Sequence, residues 1–408
     1  MTCEERLIRY AKIDTQSARF AGKWPTTDKQ FDLARELFRE MTELGLSDVY
    51  LDEEHCVVCG RVPGNVPEAE DDPLGLIAHM DTAPDAPGGA KPWVLRGYDG
   101  GDIVLNEEKG IVMRAADYPN LRQYIGQDLV LTDGTTLLGG DDKASIAAMM
   151  TLAEYLLAHP EVKHRPVAMA FTPDEEVGGL AKDLDLARFG APTAYTLDGD
   201  HLGWYEDETF NASEAVVTFA GVSVHTGTAK GIMKNACDMA AAFMGMLPAN
   251  EKPQTTEGRE GFYHVVSCEA SCEKAVVHLI IRDHDAGKFA AREAFVRACA
   301  DTFNETYGPG TASCAIHEQY RNMREVIDTV PELVTRLVEA IRAAGIEPVC
   351  EPFRGGTDGA ALSFRGLPCP NLSAGYENAH GRFEYVPVRS MEKNVEILLN
   401  LAGVISGS

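Results

Sequence analysis

No stretch of this chain approaches the roughly 20 consecutive apolar residues that a membrane-spanning helix requires. Even the helix-like run 144–158 is short and carries Ser145, Thr151 and Glu154. A bilayer is therefore not an expected partner. Residues 1–12 place Glu4, Glu5, Arg6 and Arg9 among the apolar positions and lack the apolar core of a secretion signal, so a cytoplasmic location is expected. Cations are scarce: Lys and Arg number 37 against 63 Asp and Glu, a net charge of −26. A field of that sign repels phosphate backbones and anionic lipid, which argues against nucleic acid as a partner. Two divalent cations would cancel only four of those charges, so most of the surplus belongs to solvated surface. Also missing are a G-x-S-x-G nucleophile elbow, a G-x-x-x-x-G-K-[ST] phosphate loop and H-E-x-x-H; His317-Glu318 begins like the last but meets Arg321 where the second His would stand. The ten cysteines form no compact framework, and the closest pair, Cys56 and Cys59, has no second C-x-x-C to complete a zinc knuckle. Reduced thiols fit that pattern.

What is present is an ordinary globular balance, 45% apolar and 25% charged, over 408 residues, more than one core usually serves. Two domains are expected. Apolar residues recur at helical spacing over 3–13 and 28–44, the second closed by Gly45. Short apolar runs at 74–78, 167–171 and 195–197 read as buried strands, with a helix starting near Asp142 between the first two. Strand, helix, strand implies a parallel α/β layer, in which functional groups gather at the carboxyl ends of strands. After Trp204 the pattern changes: 214–220 and 275–282 alternate like strands with one wet face, while 235–246 and 288–307 look helical. The expected architecture is α/β, a mixed, largely parallel sheet flanked by helices over 1–208 plus 326–408, with a smaller inserted α+β lid domain over 209–325.

Residues able to carry chemistry sit at the ends of those elements. His79 and Asp81 follow the first strand two positions apart, so in extended chain they share a face. Asp141-Asp142 precedes the helix; one Asp there is a common N-cap, but capping does not require a second carboxylate, and two crowded anions are best tolerated beside a cation. Glu175-Glu176 follows the second strand, where one carboxylate can ligate metal and its neighbour handle protons. Asp198 follows the third, with Asp200 and His201 close by, and His380 stands in a late polar loop. Each has an ordinary structural explanation when taken alone. Together, Asp, Glu and His at four element boundaries and one loop form the inventory of a cocatalytic zinc site.

The segments Ala78-His79-Met80-Asp81-Thr82, Gly139-Gly140-Asp141-Asp142-Lys143 and Thr172-Pro173-Asp174-Glu175-Glu176-Val177-Gly178, followed by His380, resemble in order the signatures of the M20 di-zinc metallopeptidases. That family includes dipeptidases, aminoacylases and tripeptide aminopeptidases. The likeness runs along the whole chain, and Gly221-Val222-Ser223-Val224-His225-Thr226-Gly227, Ile281-Arg282-Asp283 and Arg354-Gly355-Gly356-Thr357-Asp358-Gly359 look closest to the tripeptide aminopeptidases. Gly140 stands where the family pattern implies Ala; being small, it is not expected to disturb the loop.

The resemblance implies two zinc ions per subunit bridged by Asp141, one completed by His79 and Asp198 and the other by Glu176 and His380. It implies Glu175 as general base, Asp81 as the group orienting His79, and His225 as an oxyanion stabiliser, often supplied by a partner subunit. A homodimer through the lid domain is accordingly one expectation. Arg282 and Arg354 are candidates for the peptide's terminal carboxylate, through the planar guanidinium fork, with a domain-interface ion pair as the alternative. The expected substrate is a short peptide, cleaved at its N-terminal residue. The competing expectations are a dipeptidase, carboxypeptidase or N-deacylase on the same scaffold, or a non-catalytic metal-binding homologue.

Overall fold

The computed structural model describes residues 1–179 and 181–403. The chain forms two compact units. The larger comprises Met1–Asp207, Glu325–Glu351 and the chain from Thr357 on; the smaller comprises Glu208–Arg324 with Pro352–Gly356. The sequence division assigned 326–408 entirely to the larger body. In the structure the short return Pro352–Gly356 packs with the smaller unit, because its backbone groups pair there: Phe210 N–H donates to the Gly355 carbonyl and Phe353 N–H to that of Glu208.

The larger unit is built on an eight-stranded sheet in the order Ser47–Asp52, Val57–Val62, Val167–Thr172, Leu74–His79, Ala194–Leu197, Asn371–Leu372, Trp204–Glu206, Val349–Cys350. The four middle strands, Val167–Thr172 to Asn371–Leu372, are mutually parallel, and the strand next to them on each side, Val57–Val62 or Trp204–Glu206, runs antiparallel to them. Leu74–His79 and Val167–Thr172 are buried along their whole length, as strands covered on both faces must be. One face packs Ile77, Ala168 and Ala170 against Phe189, Leu362 and Leu367. On the other lies the helix Gln30–Leu44, ended by Gly45 at φ 88°. Gly60 lets this helix come close, since a Cβ there would sit 3.0 Å from Met41 Sδ.

The helix Gly140–Ala158 is buried almost all round. It packs on Leu74–His79 and against the first and last helices, Cys3–Ala11 and Val388–Ala402, which explains its lack of a polar stripe. A separate three-stranded sheet places Leu129–Leu131 between Tyr385–Pro387 and Trp93–Leu95.

The smaller unit is a four-stranded antiparallel sheet, ordered Phe262–Ala270, Lys274–Asp283, Asn211–Ala220, Ala312–Tyr320. The helices Ala236–Met246 and Ala286–Tyr307 cover one face through Phe219, Phe243, Val277, Leu279 and Phe303. Its two central strands, Lys274–Asp283 and Asn211–Ala220, alternate between buried and half-buried positions over most of their length, the signature of a sheet with one wetter face. Among the described residues no helix is long and apolar enough to cross a membrane.

Candidate metal centre

The carboxyl ends of the parallel strands deliver the polar side chains. Leu74–His79 ends on His79, which is 3% exposed. Its Nδ1 lies 3.1 Å from the Asp81 carbonyl and 3.3 Å from Asp81 Oδ1, so the pair shares a face as strand spacing requires. The other ring nitrogen, Nε2, faces Asp141 Oδ1 at 3.0 Å. Asp141 reaches it because the start of Gly140–Ala158 is irregular: Gly139 occupies the cap position at φ 79°, and neither Asp141 nor Asp142 has helical backbone angles. Asp141 is thereby turned inward. Asp142 Oδ2 instead accepts the N–H of His79 at 3.2 Å.

On the second side, His380 Nε2 lies 3.1 Å from Asp141 Oδ2 and 2.9 Å from Glu176 Oε2. Each oxygen of Asp141 thus addresses a different histidine. His79, Asp141 and Asp198 form one cluster, and Asp141, Glu176 and His380 another, with the ligand-type atoms of each cluster within 4.8 Å of one another. Glu175 and Glu176 occupy a short 3-10 turn after Val167–Thr172, entered by Asp174 at φ 61°. Asp81 fixes that turn, accepting the N–H of Glu175 on Oδ1 at 2.9 Å and that of Glu176 on Oδ2 at 3.3 Å. One buried carboxylate therefore orients both the His79 ring and the acidic turn.

The electrostatics are those of a site short of positive charge. Burial, reinforced by neighbouring carboxylates, pushes Glu176 up to about 8 and Asp198 up to about 6, and raises Glu175 well above the ordinary carboxyl range. Burial also opposes ionisation of Asp141, but hydrogen bonds from His380 and His79 outweigh it and hold this carboxyl low. His380 is raised to about 11 by Asp141 and Glu176. Protons retained in this way are what a divalent cation displaces on binding. Glu176 Oε1 is buried with no hydrogen-bond partner among the described residues. That orphaned oxygen and the mixed imidazole and carboxylate donor set fit divalent metal at the two clusters, which have Asp141 in common.

Sequence reasoning gives no role to Tyr376 or Asp358. Tyr376 is buried, donates its hydroxyl to Asp198 Oδ1 at 2.5 Å and accepts the Gly199 N–H at 2.7 Å. Asp358 accepts from Thr172 Oγ1 at 2.7 Å, beneath the strand ends. His201, considered alongside Asp198, turns away to Glu377 Oε1 at 3.1 Å. Gly140 is tighter than its size alone implies, because a Cβ there would meet Val386 Cγ2 at 2.4 Å.

His225, Arg282 and Arg354 belong to the smaller unit and lie outside the two clusters. His225 is exposed, its Nδ1 accepting the N–H of Gly227. Arg282 is buried and donates to the carbonyls of Ser213 and Ile281 and to Gln319 Oε1. Arg354 donates to the carbonyls of Gly258 and Glu260 and to Thr256 Oγ1, with its guanidinium over the rings of Phe210 and Phe262.

Comparison with known proteins identifies the family and the fold. Residues 138–403 match the family described as peptidase family M20/M25/M40. Peptidase T of Geobacillus kaustophilus is 48% identical over 401 residues, covering 97% of this chain and 96% of that protein. Among solved structures, aminopeptidase PepT from Bacillus cereus superposes with a TM-score of 0.78 at 21% identity, covering 98% of this chain and 97% of that one. A tripeptidase from Staphylococcus aureus superposes with a TM-score of 0.73, also at 21% identity, covering 98% and 96%. The structural matches establish a shared fold. With the sequence match over nearly the full length, they leave one conclusion: the chain belongs to peptidase family M20/M25/M40.

Proposed function

We propose that this metallopeptidase is an aminopeptidase that removes the N-terminal residue from short peptides, tripeptides first among them, with two zinc ions per subunit. The observation that carries this reading is the division of Asp141, one oxygen to the His79 cluster and the other to the His380 cluster, with Glu175 on the acidic turn beside them. The names of its relatives, a peptidase T, an aminopeptidase and a tripeptidase, support the substrate class.

His79, Asp141 and Asp198 would hold one cation, and Asp141, Glu176 and His380 the other. When bound, such cations supply Lewis acidity, making a water acidic near neutral pH and polarising the scissile carbonyl. Glu175, whose burial raises its proton affinity, takes a proton from the attacking water and returns it to the leaving amine. Asp81 keeps the His79 ring and the Glu175 backbone in register with each other. His225 is assigned to the oxyanion. Arg282 and Arg354 are assigned to the peptide's terminal carboxylate; Arg282→Ala should raise KM steeply for tripeptides, and an unchanged KM removes it from the role. A homodimer through the smaller unit is proposed with them, to be tested by light scattering. A cytoplasmic location, consistent with ten cysteines none of which is in a disulfide, is tested by cell fractionation.

The deciding assay reconstitutes metal-free protein with zinc and offers it tripeptides, N-acetylated tripeptides and dipeptides. Cleavage confined to peptides with a free amine, fastest for tripeptides, is expected. Equal cleavage of the acetylated series overturns the aminopeptidase reading in favour of a deacylase or carboxypeptidase.

A further inference from the structure

Glu384 is 1% exposed and stands four residues beyond His380. Its Oε2 accepts the N–H groups of Leu138 at 2.9 Å and Gly139 at 2.8 Å, and its Oε1 accepts that of Asp141 at 2.9 Å. These donors lie in the turn that starts the helix Gly140–Ala158, where backbone N–H groups have no partner within the helix. A carboxylate from a distant segment therefore does what an N-cap side chain ordinarily does, and it does so on the residue that faces both clusters.

The segment carrying Glu384 is itself closed. Glu377 and Tyr385 exchange backbone hydrogen bonds at 2.9 and 3.0 Å, and Asn378 Nδ2 donates to the Phe383 carbonyl, so 377–385 forms a small hairpin with His380 near its tip. Two residues beyond Glu384, Val386 sits so close to Gly140 that a Cβ would not fit without displacement. The two loops thus meet in two places, through the Glu384 carboxylate and through the contact at Gly140.

We propose that Glu384 is a positioning residue that clamps the 138–141 turn to the His380 hairpin, so that the two oxygens of Asp141 are aimed at His79 and His380 before any cation arrives. The proposal rests on the reading of Asp141 as the shared ligand. A glutamine at 384 has the same size but only one accepting oxygen, so at least one of the three N–H groups would face an amide NH2. The turn would loosen, and the aim of Asp141 would spread. Groups that orient metal ligands typically change affinity by about 10- to 100-fold when removed.

The test titrates metal-free protein with cobalt(II), reading affinity, stoichiometry and the visible absorption bands that report ligand geometry. Glu384→Gln should bind at least one of two cobalt ions about 10-fold more weakly or worse, with altered bands. With zinc restored, kcat for a tripeptide should fall while KM stays near its wild-type value. Wild-type affinity and bands in Glu384→Gln overturn the proposal, leaving Glu384 as a helix cap alone. Asp141→Asn separates the two levels: if that variant also binds two cobalt ions normally, the shared-ligand reading fails first. Should Glu384→Gln not fold, hydrogen exchange on the wild-type protein decides. The amides of Leu138, Gly139 and Asp141 should be protected without metal, and exchange as fast as in open loops overturns the clamp.

Discussion

The two halves of the candidate metal centre are built to different standards of rigidity. His79 terminates a strand in the middle of the sheet, is almost wholly buried, and has its ring held from behind by Asp81. His380 hangs from a loop at φ 61°, with its side chain 49% exposed. The first half inherits its geometry from the sheet; the second depends on how well one hairpin is fastened. The carboxylates of both halves are buried, so the difference lies in the imidazole: a half-exposed ring on a loop loses more freedom on being fixed to a cation than one already locked at a strand end. The two cations should therefore bind unequally, tightly beside His79 and loosely beside His380.

The largest effect should come from removing what the halves share. Asp141→Ala should abolish binding of both ions and lower kcat/KM on the order of 10⁴-fold, as expected when several kcal/mol of transition-state stabilisation are lost; retention of one tightly held ion would show the His79 half to be self-sufficient. Next is Glu175→Gln, which should keep two ions per chain while kcat drops about 10²- to 10⁴-fold. Substantial turnover in that variant removes Glu175 as the base. The comparison itself is sharpened by the histidines. His79→Ala leaves the buried Asp81 and Asp141 without the ring they face and should destabilise the metal-free protein by about 1–3 kcal/mol. His380→Ala also takes a ring away from buried carboxylates, Asp141 and Glu176, but from a half-exposed loop that water can enter, so it should cost less than His79→Ala while losing one ion. Equal denaturation midpoints for the two variants would break the distinction. The smallest change expected is from Tyr376→Phe, which removes one hydrogen bond to Asp198 and should weaken a single site about 10-fold.

His79, Glu175 and Glu176 can be placed from the sequence because they follow apolar runs best read as buried strands, whereas His380, in a polar loop, is found only through the joint inventory and the resemblance. Leu74-Gly75-Leu76-Ile77-Ala78 and Val167-Ala168-Met169-Ala170-Phe171 are too apolar for anything but strands covered on both faces, and the polar residue after each is placed at a strand end by necessity. Tyr376 and Glu384 gave no such signal. Each acts through hydrogen bonds to a residue far away in the chain, and nothing in the neighbouring sequence records which residue that is. The strands Phe262–Ala270 and Ala312–Tyr320 escaped for another reason. They lie at the edges of the smaller sheet, where most positions are exposed and the alternation that marks a strand is diluted by polar side chains. Val57–Val62 is buried yet contains Gly60 and Arg61, which interrupt the apolar run.

The short return Pro352–Gly356 has a genetic corollary. The backbone passes between the units at Asp207–Glu208, Arg324–Glu325, Glu351–Pro352 and Gly356–Thr357, so two non-adjacent stretches of gene encode one folded body. A recombination event that exchanged only 208–324 for a homologous cassette would leave a five-residue remnant of the old body in place. Substitutions at Arg354, whose guanidinium lies over the rings of Phe210 and Phe262, should therefore co-vary with those two positions.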